Sequence, residues 1–190
     1  MGFRSMTTAL VILAASLAPV AADGDWTTTW NGAMAGANAA WPAGGDPDTA
    51  REMYSKALEA VEKNGRGTLR HARTLDELAY LNLMDGREGP AESLYLQSIP
   101  MLEKLLGTAQ PRLATSLHNL GVLYLQAGRD DDAEPRIRAA LEIWTAAFGP
   151  RHPDTARAYR SLSVLMRRRG QHEEADRLEH LAAPLLKATE

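Results

Sequence analysis

The chain repeats itself at a spacing of 42 residues, and this self-similarity restricts its folds more than any other feature. The run LATSLHNLGVLYLQAGRDDDAEPRIRAALEI, starting at Leu113, aligns without gaps on TARAYRSLSVLMRRRGQHEEADRLEHLAAPL, starting at Thr155. Leu120 then matches Leu162, Gly128 matches Gly170, Ala133 matches Ala175 and Ala140 matches Ala182. One period earlier stand Leu78, Gly86, Ala91 and Ser98, and a step of 41 reaches Ala37, Gly45, Ala50 and Ala57. The linkers repeat as well, with Gly107 matching Gly149 and Gln110-Pro111 matching His152-Pro153.

Within one unit the apolar positions follow a helical period. Leu117, Leu120, Gly121 and Tyr124 fall at i, i+3, i+4 and i+7, which is one face of a helix. Gly128 follows and can stop that helix in a left-handed conformation. Asp130, Asp131 and Asp132 supply a cap and first-turn acid for a second helix, on which Ala133, Ile137, Ala140 and Leu141 repeat the apolar spacing. Gly121 and Ala133 lack bulk, so the two helices can approach closely. Pro153 and Asp154 reset the chain for the next unit. GRDDDAE reads as a helix start and not as a calcium loop, because the ligand spacing and closing glutamate are absent. The predicted architecture is all-α: eight helices in four pairs over about 27–43 and 46–64, 68–85 and 88–106, 113–127 and 130–148, 155–169 and 172–188. Pro100 and Pro184 fall inside second helices and are expected to kink or shorten them.

Residues 1–22, MGFRSMTTALVILAASLAPVAA, lie outside the repeats. One charge, Arg4, precedes an apolar run, and small residues end the segment. This is the pattern of an export signal, with cleavage expected after Ala22 and a periplasmic or secreted mature chain. The alternative is a retained anchor, against which the short apolar run argues, since a spanning helix takes about 20 residues. Stable membrane insertion of the processed chain is not expected. Residues 23–29 are expected to be a lead-in to an array over 30–188. The net charge of −3 offers no global basic field for nucleic acid. The absence of cysteine excludes disulfides and thiol chemistry.

These units resemble the tetratricopeptide repeat family. Leu117, Leu120-Gly121 and Tyr124, followed by Gly128, Ala133, Ile137 and Ala140, match its signature, and the period with LHNLGVLY and FGPRHPDTA is similar to the kinesin-light-chain type. The first unit departs at Met34, Ala37, Asn38 and Trp41, and Glu179 stands where the other units carry Tyr54, Tyr95 and Ile137. The resemblance implies a right-handed α-solenoid whose first helices line a concave surface for a protein or peptide partner, with no cofactor. On that surface it places Thr115, His118, Asn119, Val122, Leu125 and Gln126 of the third unit. It adds Arg73, Asp76, Glu77, Tyr80, Leu83 and Met84 of the second, and Arg157, Arg160, Arg167 and Arg168 of the fourth. Asn119 matches an asparagine that grips ligand main chain in related domains, or else it bonds a neighbouring helix. Its row holds Gly36, Glu77 and Ser161 in the other units, so there is no asparagine ladder. The arginines suit an acidic segment or a C-terminal carboxylate near Arg157, Arg160 and Asn119, or else form a solvated basic face.

Enzyme signatures are missing: there is no Gly-x-Ser-x-Gly, no phosphate-cradling loop and no His-Glu-x-x-His. His172 and His180, with acids between them, match no metal-ligand spacing. Trp26, Trp30 and Trp41 gather in the first unit and read as core filling or as an aromatic docking patch. The functional expectation is an exported adaptor, scaffold or assembly factor that is not an enzyme. A self-associating structural subunit is the alternative, and an enzyme or metal-binding module ranks below both.

Overall fold

The computed structural model describes residues 26–41 and 46–186, with the side chains of 184–186 left aside. The expected export signal, residues 1–22, lies outside the described residues. Eight helices follow one another: α1 Trp26–Ala40, α2 Pro47–Asn64, α3 Leu69–Met84, α4 Glu88–Leu106, α5 Pro111–Gln126, α6 Asp130–Phe148, α7 Pro153–Arg168 and α8 His172–Leu186. Each odd-numbered helix packs mainly on the even-numbered helix after it, and each pair then packs on the next. No described helix is long and apolar enough to cross a membrane.

The turns inside the units are built alike. Gly86, Gly128 and Gly170 adopt φ of +71°, +72° and +75°. In the third unit the Gly128 amide donates to the Leu125 carbonyl and the Arg129 amide to that of Tyr124, at 3.1 and 2.8 Å. The second and fourth units repeat both bonds. This left-handed glycine closure satisfies carbonyls that a helix end would otherwise leave open.

Several boundaries differ from the sequence expectation. Helix α1 begins at Trp26, so residues 26–29 are helix and not lead-in. Helices α5 and α7 begin two residues early because Pro111 and Pro153 occupy the first helical turn, where their fixed φ already suits a helix. The caps of α4 and α6 are Arg87 and Arg129, without a side-chain capping bond, and Asp130–Asp132 form the first turn of α6 instead. Pro100 does not shorten α4, which runs 19 residues, as long as α6.

What joins the helices of a pair is a small-to-large match sixteen positions apart. Gly121 faces Ile137 so closely that a Cβ at Gly121 would stand 2.6 Å from Ile137 Cγ1. The same two positions hold Asn38 with Tyr54, Ala79 with Tyr95 and Ser163 with Glu179. Tyr54 donates its hydroxyl to Asn38 Oδ1 at 2.7 Å, and Ser163 donates to Glu179 Oε2 at 2.9 Å. Asn38 and Glu179, which depart from the family pattern, thus answer the residue each one faces. Ala50, Ala91, Ala133 and Ala175, one per unit, are fully buried beside these pairs.

The core forms two clusters that meet across α3. Leu78 and Leu81 face the first pair together with Trp30, Met34, Tyr54 and Val61. Ala72, Ala79 and Leu83 belong to the cluster that runs to α8, and Leu94 packs on both. Trp30 donates its indole N–H to Thr74 Oγ1 at 2.8 Å, so this tryptophan ties α1 to α3 in the core. Partly exposed ion pairs join successive units: Arg51 to Asp85 at 2.5 Å, Arg129 to Glu92 at 2.8 Å and Arg169 to Glu134 at 2.5 Å. Arg51 and Glu134 occupy equivalent positions, as do Asp85 and Arg169, so the charges are swapped between the first and last junctions. Each such pair contributes at most about 1 kcal/mol, and the reversed charges of the first junction oppose its exchange with the other two.

Gly121→Val is expected to cost about 1–3 kcal/mol by overpacking. In a double variant with Ile137→Ala the combined cost should be at least about 1 kcal/mol smaller than the sum of the single costs. Urea unfolding followed by circular dichroism measures this coupling, and strictly additive costs would contradict the pairing.

Candidate functional site

First helices supply the inner face, and two adjoining pockets open on it. The larger, about 380 Å³, lies among α3, α5 and α7. Asp76, Glu77, Tyr80, Thr115, Asn119 and Arg157, all expected on this surface, line it together with Pro111, Arg112, Trp144, Phe148 and Asp154. The second, about 320 Å³, lies between α5 and α7. His118, Val122, Leu125, Gln126, Arg160, Ser161, Val164 and Arg168 line it, and Arg157 is the wall both share.

Asp76 is the buried acid of the first pocket. It is 8% exposed, accepts a hydrogen bond from Ser116 Oγ at 2.5 Å and has Arg112 Nη2 at 3.6 Å. Arg112 also bonds Glu77 Oε1 at 3.2 Å. Burial pushes the Asp76 carboxyl up to about 6, against the pull of Ser116 and Arg112. Trp144 is 1% exposed, and its indole N–H has no acceptor among the described residues. The same holds for the buried Arg112 Nε–H. Both atoms are sealed from solvent, and the carboxylates of the pocket are paired: Glu77 and Asp76 with Arg112, and Asp154 with Arg157.

His118 is buried in the wall of the second pocket, 3.0 Å from Ser161 Oγ through Nε2 and 5.2 Å from the Trp144 ring. Burial, and then the neighbouring Arg157 guanidinium, press its pKa down to about 4, so the imidazole is neutral at pH 7. Asn119 faces both His118 and the buried Tyr95 phenol. Of the five arginines on α7 and its C-cap, four pair with carboxylates: Arg157 with Asp154, Arg167 with Asp176, Arg168 with Asp130, and Arg169 with Asp131 and Glu134. Arg160 is exposed and has no carboxylate partner among the described residues.

Not every expected residue serves the groove. Arg73 lines neither pocket and lies 4.0 Å from Glu77. Arg167 turns to Asp176 of α8 at 2.8 Å, away from the inner face. Arg168 reaches the second pocket, but its guanidinium donates to the Leu125 carbonyl at 2.6 Å and to Asp130 at 3.0 Å, tying α7 to the end of α5. Arg112 and Asp154 escape the sequence reading because it starts α5 and α7 two residues late. Trp144 and Phe148 escape it because they stand on a second helix, at the open edge of the groove.

An array of stacked helical pairs with a lined inner face defines the chain as an α-solenoid. The tetratricopeptide repeat profile matches residues 43–104, 91–142 and 112–187, and the chain belongs to that family. Its fold is similar to that of BtubC (BKLC) from P. vanneervenii, at 21% identity and a TM-score of 0.62, over 88% of this chain and 75% of that one. It is similar to a Podosopora anserina protein assigned as a kinesin light chain with nearly identical repeats: 20% identity, TM-score 0.66, 90% and 80% coverage. Aspartyl phosphate phosphatase F from Bacillus subtilis shares the fold at 14% identity and a TM-score of 0.67, over 88% of this chain and 41% of the longer one. No curated protein matches the sequence.

The raised Asp76 pKa sets a sign for stability. A carboxyl at about 6 when folded and near 3.8 when unfolded stabilises fully below pH 3.8, and that contribution is lost as pH rises through 6. Asp76→Asn is therefore expected to gain stability relative to the wild type between pH 4 and pH 7.5, by about 3 kcal/mol as an upper order of magnitude. Urea unfolding at the two pH values checks this, and an unchanged difference between the proteins would contradict the shift.

Proposed function

We propose that this chain is an exported interaction module that holds an acidic segment, or the C-terminal carboxylate, of a protein partner on its inner face. The observation that carries the reading is Arg160, an exposed guanidinium without a carboxylate partner among the described residues. It stands on the same pocket as Arg157, Arg168 and the neutral His118–Ser161 pair. A guanidinium in that setting suits a carboxylate through paired N–H···O bonds. Val122, Leu125 and Val164 offer apolar wall for the ligand's aliphatic carbons. The family and fold support a binding role, and the absence of nucleophile and metal signatures in the sequence supports a role without catalysis. The small-residue end of the segment 1–22 supports export with processing after Ala22.

Anisotropy of a rhodamine-labelled hexaglutamate peptide tests the binding reading. Arg160→Ala should weaken binding by roughly tenfold or more, as loss of a charge-assisted bond does, and should flatten the dependence on salt. Unchanged affinity and unchanged salt dependence would end the proposal. For export, the mass of the chain from an envelope fraction should correspond to a start at Asp23, and an intact Met1 would contradict processing.

A further inference from the structure

We propose that the inner face reads its acidic segment in steps of one unit, through a row of apolar side chains, and that the segment it fits is an extended chain with an apolar residue at every third position. The inference rests on the acidic-segment reading and adds to it the pattern and conformation of the ligand.

The row emerges when equivalent positions are compared. Ala39, Tyr80, Val122 and Val164 stand one unit apart on α1, α3, α5 and α7. Tyr80 and Val164 are 37% and 43% exposed, Ala39 is exposed and Val122 is half-buried. The core does not require them, because Leu78, Leu120 and Leu162, two positions earlier, are the buried residues of these helices. Single exposed apolar side chains are ordinary on a protein surface, but here the same surface position is apolar in every unit. Tyr80 lines the first pocket and Val122 and Val164 line the second, so the row runs through both. On α7, Arg160 and Arg168 stand four residues to either side of Val164, on the same face of the helix. Acidic and apolar groups of one ligand are therefore received side by side.

The step along the row selects the conformation of the ligand. Helix α3 meets α5 and α5 meets α7 directly, and helices in contact have axes about 8–10 Å apart. An ionised run of glutamates repels itself and stays extended instead of coiling into a helix. Of the extended forms, a β-strand returns a side chain to one face after two residues, about 6.6–6.8 Å. A polyproline-type chain returns it after three residues, about 9.3 Å, which matches the step of the row. Such a chain has no internal hydrogen bonds and is a major conformer of unfolded segments, so it enters the groove at small ordering cost. The two residues between successive apolar positions point to other sides, where glutamates meet Arg160 or water.

The test compares rhodamine-labelled ten-residue peptides, each of seven glutamates and three leucines, by anisotropy at neutral pH. Leucines at the second, fifth and eighth positions match the row. Leucines at the second, fourth and sixth match a strand, and at the second, sixth and ninth one face of a helix. The first peptide should bind roughly tenfold tighter than either control, as burial of about two further methylene groups gives. Tyr80→Ser, at an exposed position of α3, should shrink that advantage and leave hexaglutamate binding unchanged. Adding Val164→Ser should make the three peptides equal, whatever its effect on hexaglutamate. In the first peptide, proline at the sixth position should bind at least as tightly as alanine there, because its fixed φ suits the three-residue turn. Should the double variant fail to fold, Tyr80→Ser and the proline peptide decide. Equal binding by the three peptides, a preference for either control, a preference that survives both substitutions, or weaker binding with proline than with alanine overturns the inference. Continued binding of hexaglutamate in any of those cases leaves the acidic-segment reading standing. No binding by hexaglutamate or by any leucine peptide overturns both.

Discussion

The structure depends on two helices of each unit lying close enough for backbone and side chain to touch. Gly121 achieves this against Ile137, and the same contact is made elsewhere by different means: Ala79 against Tyr95, Asn38 hydrogen-bonded to Tyr54, and Ser163 hydrogen-bonded to Glu179. Interiors pack at crystal-like density, so a change on one side of such a contact demands an answer on the other. Four different residue pairs therefore occupy the same place between the two helices of a unit, and each sets the spacing there. From that spacing follow the buried alanines beside each contact and the left-handed glycines that return the chain at the same point in three units.

The inner face follows from the stacking. Once each pair uses one side of its first helix for its partner and another for the next unit, the remaining side is free of core duty. The contents of that side then differ by unit. Glu77, Asn119 and Ser161 occupy one row, and their neighbours run from the paired acids of α3 to the exposed Arg160 of α7. On the acidic-segment proposal, such a gradient would orient the ligand as well as hold it, because reversing the ligand would set like charges together.

Much of the fold was legible in the sequence, because its determinants recur. The 42-residue register located the glycine turns and the buried alanines, and the small residue at Gly121 announced the close approach. Asn38 and Glu179 looked like defects because their partners are legible only when residues sixteen apart are compared across units. The site was legible in part. Asp76, Glu77, Tyr80, Thr115, His118, Asn119, Val122, Gln126, Arg157 and Arg160 do line the two pockets. The misses have two physical sources. Prolines at the first helical turn extended α5 and α7 to include Arg112 and Asp154, and Trp144 and Phe148 reach the groove edge from a second helix. No local pattern told Arg168, bonded to a carbonyl of α5, from Arg160, which is left without a carboxylate.

The central claim is that the free face of the first helices, and not the outer face, receives the partner. Methyl-labelled nuclear magnetic resonance of the chain, titrated with hexaglutamate, addresses it directly. The account predicts shifts concentrated at Val122, Leu125 and Val164, with Leu96 and Leu105 of α4 unmoved. Shifts confined to Leu96 and Leu105, or spread evenly over both sets, would contradict it.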